Sequence, residues 1–217
     1  STTAGNVKVA TQTAISLHPS DVTALVGSNV SFNVSATSTN TSVFTSGVPN
    51  YASGSANTSN INYQWQVSTN DGTTWNNIAN GGVYSNVTSS TLNLTGVTNI
   101  LNNYQYRVLV KVSNNVCTSI FSNAKVLKVG NSSVSDINCG DNGTFDTSAD
   151  DFIFFKLTPF QPSGSSTYSV IATFGGNSIP ITDMNNNSVS SINYGFPAYL
   201  KVPNGALSSG NIVITVN

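Results

Sequence analysis

The chain is predicted to be all-β, built as two tandem β-sandwich modules. Three observations carry that expectation. Apolar residues recur with period two in successive runs, turn residues separate those runs, and no apolar stripe persists over three helical turns. Hydrophobic residues make up 38% of the 217 positions, enough to build a core and to set aside disorder as the reading of a Ser/Thr/Asn-rich composition.

Taken in order, Ser1–Thr13 is assigned to an upstream joint. The stretch Thr2–Val9 (TTAGNVKV) echoes Ser122–Val129 (SNAKVLKV), so the opening residues read as the last strand of a preceding copy in a tandem array. The chain opens on Ser1 rather than Met, which fits an excerpt. The first module is placed at 14–129. Val30–Ala36 (VSFNVSA) alternates cleanly, as does Ile61–Val67 (INYQWQV), and Asn70-Asp71-Gly72 then supplies a hairpin turn because these residues tolerate positive φ. Further strands are expected at Thr74–Ile78, Thr91–Leu94, Tyr104–Val112 and Ile120–Val129. Thr39–Asn60 lacks alternation and is longer than a hairpin loop, leaving a flexible insertion and a binding loop both open. Gly130-Asn131-Ser132-Ser133 marks the start of a second all-β module at 130–217. That module carries the runs DDFIFFKLTPF, TYSVIATF, SINYGFPAYLKV and NIVITV.

Charge narrows the function. Charged residues are 7% of the chain, against about 25% in an ordinary soluble domain. The formal net charge is −1 and the basic residues are scattered, which excludes an electrostatic footprint for nucleic acid. No apolar run approaches the ~20 residues of a transmembrane helix. Glutamate is absent and His18 is the single histidine, so general acids and bases are scarce and no enzyme is expected. His18 itself reads as surface filler in an extended segment before Pro19.

The residues of 15–129 support a named comparison. The motifs are HPSD at His18–Asp21, VGSNVSF at Val26–Phe32, YQWQV at Tyr63–Val67, DGTTW at Asp71–Trp75 and LNNYQYR at Leu101–Arg107. This pattern resembles the bacterial immunoglobulin-like modules of large type IX-secreted surface adhesins, including gliding-motility adhesins. The resemblance implies an immunoglobulin-like first module with Trp65 as the core tryptophan of the third strand and Tyr104 at the tyrosine-corner position. Tyr106 stands where the second intersheet cysteine would be, and the strand around Phe32 has none. The fold is therefore expected without an intersheet disulfide. The segment Asp136–Phe154 resembles the start of another repeat in the same surface proteins. The resemblance further implies an extracellular, cell-surface, non-catalytic stalk or spacer in adhesion or gliding motility. Its partners would be adjacent modules of the same long chain and a surface glycan or polysaccharide. The alternative function is a carbohydrate-binding module of a secreted protein.

Three groups of residues are candidates for chemistry. Asp141, Asn142, Asp146, Asp150 and Asp151 could supply the oxygens a structural Ca²⁺ wants, or could serve as solvated turn aspartates; the spacing is not that of an EF-hand. No other cofactor is implied. Cys117 and Cys139 are expected to stay apart as buried free thiols, because the strand after Cys117 runs away at about 3.3 Å per residue. Tyr51, Trp75, Tyr84, Tyr194, Phe196 and Tyr199 could stack on sugar rings or fill cores, with Trp75 the best exposed of them. Asn-x-Ser/Thr triplets at Asn29, Asn33, Asn86 and Asn93 follow from composition and carry little weight for glycosylation.

Overall fold

Alternating side chains organise the centre of the first unit, where Gln105–Val112 and Thr91–Leu94 bury every second residue. In the computed structural model, which describes residues 10–56, 61–113, 119–140, 152–163, 166–194, 197–203 and 211–216, the strand Gln105–Val112 buries Tyr106, Val108, Val110 and Val112 and turns the residues between them outward. It pairs antiparallel with Ile61–Ser68 over its full length, from Gln105 opposite Ser68 to Val112 opposite Ile61. Val22–Leu25, Lys125–Gly130, Ile120–Phe121 and Asn76–Asn77 complete this sheet. The facing layer is formed by Tyr84–Ser85, Thr91–Leu94 and Val30–Asn33, extended by a second sheet of Ala10–Leu17, Ser35–Thr41 and Ser55–Ala56.

Between the layers lie Phe32, Trp65, Leu92, Leu94, Val108, Tyr106 and Leu127, all essentially inaccessible to solvent. The Phe32 and Tyr106 rings meet across the sandwich at 4.8 Å, and Trp65 lies 6.4 Å from Phe32. This aromatic contact links the two layers of the sandwich. Ring packing of this kind contributes about 0.5–1.5 kcal/mol beyond area burial. The sheets are thus joined without a covalent link.

The second unit builds a separate, smaller core. One sheet runs in the order Ser133–Gly140, Phe152–Thr158, Ala198–Pro203, Thr182–Asp183. The other centres on Thr167–Phe174, paired with Asn177–Ile179, Ser191–Asn193 and Ile212–Val216. Phe155, Leu157, Tyr168, Val170, Leu200 and Val202 are buried among them. The all-β class with tandem sandwiches therefore stands, and the compact units are 1–129 and 130–217.

Three expectations need correction. Ala10–Thr13, assigned to an upstream joint, belong to the strand Ala10–Leu17, which pairs with Ser35–Thr41 from Ala10 opposite Thr41 onward. Uncharged Thr and Gln side chains hid a strand whose register depends on backbone bonds. The described part of the stretch 39–60, residues 39–56, is not an irregular loop. Thr39 and Asn40 pair with Ala56 and Ser55, a two-residue ladder joins Phe44–Thr45 to Val48–Pro49, and a 3₁₀ turn spans Tyr51–Ser53. The strand expected at Thr74–Ile78 shrinks to Asn76–Asn77, because Asn70 claims Thr74 for the preceding turn through its side-chain oxygen.

Candidate functional site

The turn after Ile61–Ser68 positions the most distinctive surface feature of the first unit. Asp71 and Gly72 adopt positive φ, 53° and 81°, and the Ser68 hydroxyl accepts from the Gly72 N–H. The chain then folds back so that the Trp75 indole N–H donates to the Gly72 carbonyl at 2.9 Å. Trp75 is thereby laid over the outward side of the sheet, against Arg107.

Arg107 is flanked by two rings. Its Cζ lies 4.2 Å from the Trp75 ring and 4.1 Å from Phe121, which is exposed and sits opposite Leu109 on the neighbouring strand. The Arg107 Nε–H donates to Gln66 Oε1 at 2.9 Å, and Gln66 in turn donates to Asn77 Oδ1 at 2.9 Å. Three strands thus hold one guanidinium in a fixed plane. Burial under the rings lowers its pKa, yet arginine stays charged at any working pH. Among the described residues its two terminal nitrogens have neither a hydrogen bond nor an ion pair. Sequence reading missed Arg107, Phe121 and Gln66. Arg107 was within reach, since Tyr106 pointing inward forces its neighbour outward.

The residues singled out for structure lie in or near the core. Trp65 is fully buried, and its indole N–H donates to the Ser89 carbonyl at 2.9 Å. Tyr106 is fully buried with its hydroxyl 3.1 Å from that of Tyr84. Burial pushes both phenols above their ordinary pKa, Tyr106 very far. Tyr104 is half-buried; its N–H donates to Leu101 and its carbonyl accepts from Leu127. No hydrogen bond from the Tyr104 hydroxyl to backbone is present among the described residues, so the tyrosine-corner bond is not formed there.

The aromatic candidates do not make one platform. Tyr84 faces the first core, Tyr194 stacks on Tyr168 at 4.8 Å in the second, and Tyr199 is exposed on that unit. Tyr51 sits half-buried in the 3₁₀ turn, and Phe196 lies outside the described residues. Asn29 and Asn33 accept hydrogen bonds from the Gly96 N–H and the Thr91 hydroxyl.

All five candidate calcium ligands, Asp141, Asn142, Asp146, Asp150 and Asp151, lie outside the described residues, as does Cys117. Among the described residues no group of three or more His, Cys, Asp or Glu is gathered. Asp136 lies 3.9 Å from Lys156, and Asp183 closes a turn by accepting from the Asn187 side chain and the Asn187 and Asn185 N–H groups, which holds its carboxyl below the usual range. Cys139 is free but exposed, not buried, because Ser133–Gly140 is an edge strand that solvent reaches along its length. An apolar cleft of about 420 Å³ opens beside that strand, lined by Val134, Ile137, Ile153, Phe155 and Ile212. Among the described residues no titratable side chain lines it.

His18 is not filler. Its Nδ1 accepts from the Asn123 N–H at 3.0 Å, and three residues on, Asp21 Oδ1 accepts from the Val126 N–H at 2.8 Å. Val22–Leu25 then lies beside Lys125–Gly130 in the sheet. Partners advance together along both segments, so His18–Leu25 and Asn123–Gly130 run side by side in the same direction.

No protein-family model matches the chain, and no curated protein matches it. Solved structures do align. A chimeric titin Z1Z2 carrying an exogenous decorin peptide is 18% identical over 56% of this chain and 97% of that one, with a TM-score of 0.36. The titin domains I67–I69 are 14% identical over 94% of this chain and 63% of theirs, at 0.42. Tandem immunoglobulin repeats of Dlar are 12% identical over 94% and 89%, at 0.35. With scores below one half, the architecture rests on the strand pairing itself.

Proposed function

We propose that this chain is a non-catalytic, load-bearing repeat segment of an extracellular bacterial adhesin, a spacer in surface adhesion or gliding motility. The observation that carries the reading is the lacing of His18–Leu25 to Asn123–Gly130. When chain ends are pulled apart, two neighbouring segments that run in the same direction slide past each other. Their bonds are then loaded together rather than opened one at a time. The motif resemblance, the tandem modules and the scarcity of charge support a surface-displayed spacer.

Force spectroscopy on the whole chain tests it. Asp21→Ala removes the acceptor for the Val126 N–H and is expected to lower the unfolding force of the first unit. Asp71→Ala, in a turn away from the lacing, leaves the force unchanged. An Asp21→Ala chain that resists as well as the native one removes the basis for the reading.

A further inference from the structure

The two units differ in charge. Residues 1–129 hold five basic residues (Lys8, Arg107, Lys111, Lys125, Lys128) against Asp21 and Asp71, a formal +3. Residues 130–217 hold Lys156 and Lys201 against six aspartates, a formal −4. Within the first unit the cations are not evenly placed. Arg107 and Lys111 stand on the outward side of Gln105–Val112, about 13 Å apart at ~3.3 Å per residue. Lys128 points outward from the neighbouring strand Lys125–Gly130. The two acids of the unit lie off these strands, Asp21 before Val22 and Asp71 in the turn.

We propose that this sheet face is a binding site for an acidic polysaccharide, with Arg107 as the carboxylate clamp. A guanidinium presents its donors in a planar fork that matches a carboxylate with two parallel bonds. Here the Nε–H is occupied by Gln66, the plane is held between Trp75 and Phe121, and the outer nitrogens remain unspent. The fork is therefore oriented before a ligand arrives, which removes much of the ordering cost of binding. Beside it lies a shallow depression of about 260 Å³ lined by Asn62, Gln64, Asn77, Leu109 and Lys111. Amides and a lysine around an open depression suit sugar hydroxyls and a second carboxylate. A protein partner would need a larger apolar centre than Leu109 and the ring edges supply. A spacer needs no ligand, so this site stands apart from the load-bearing role.

The test uses the whole chain with polygalacturonate as probe, compared with fully methyl-esterified polygalacturonate and with dextran sulfate, in affinity electrophoresis at low and moderate salt. Polygalacturonate is expected to retard the native chain and the ester, which has lost its carboxylates, to leave it free. Arg107→Lys keeps the charge but loses the fork, and is expected to weaken binding about tenfold. Lys156→Gln, in the second unit, is expected to bind as the native chain does. Circular dichroism checks that each variant is folded. The proposal is overturned if folded native chain ignores polygalacturonate, if the ester binds equally, or if Arg107→Lys binds unchanged. It is also overturned if dextran sulfate binds more tightly and with no dependence on Arg107, the signature of nonspecific charge, or if Arg107 serves only to join two copies of the chain.

Discussion

Tyr84 and Tyr106 share one hydroxyl–hydroxyl contact at 3.1 Å, but removing the two hydroxyls should not cost the same. Tyr106 is fully buried and Tyr84 half-buried. In Tyr84→Phe the Tyr106 hydroxyl is left in the core without a partner among the described residues. Stranding a buried polar group costs ~1–3 kcal/mol. In Tyr106→Phe the surviving hydroxyl belongs to Tyr84, which water can reach, and the core loses a group it had to desolvate. That change is worth about 0.5 kcal/mol or less, below the ordinary net value of a hydrogen bond. The double variant should match Tyr106→Phe, so the cycle yields a coupling equal to the Tyr84→Phe loss, ~1–3 kcal/mol, rather than additivity. Guanidinium unfolding followed by tryptophan emission reads this directly, since Trp65 and Trp75 both lie in the first unit and no tryptophan lies in the second. A Tyr106→Phe chain less stable than Tyr84→Phe, or two additive losses, would refute the reasoning.

The same pair sets an alkaline limit. Burial raises both phenol pKa values above the ordinary ~10, so their contribution is complete below that pH and is lost as pH rises through the raised values. Unfolding titrations from pH 8 to 11 should show the first unit weakening above about pH 10, and Tyr106→Phe should flatten that decline. In the second unit, the buried Tyr168 hydroxyl has no hydrogen-bond partner among the described residues, so Tyr168→Phe should stabilise that unit by about 1 kcal/mol in calorimetry. For the acidic segment, we propose that Asp141, Asn142, Asp146, Asp150 and Asp151 hold calcium; the ion should then raise the melting temperature of the second unit, and Asp150→Ala should remove the response. Identical melts with calcium and with chelator would dismiss the ion.

Strands whose alternation reflects burial were legible in the sequence. Gln105–Val112 and Ile61–Ser68 announce themselves because Tyr, Val and Trp recur at every second position. Ala10–Leu17 and Ser35–Thr41 did not, since their Thr, Ser and Asn side chains carry no such contrast and backbone pairing alone sets their register. His18 was misread because its partner, Asn123, lies 105 residues away and the bond depends on how the unit closes. The Arg107 clamp was hidden for a related reason. Trp75, Phe121 and Gln66 come from separate segments, and only the folded sheet brings their side chains to one guanidinium.

The load path is tested most directly by changing the direction of pull. With Cys117 and Cys139 replaced by serine, handles attached at Ser20→Cys and Asn131→Cys load the laced segments lengthwise. Handles at Ser20→Cys and Ala124→Cys peel the same segments from one end. The first geometry should require distinctly higher force, whereas equal forces, or a stronger peel, would contradict the account.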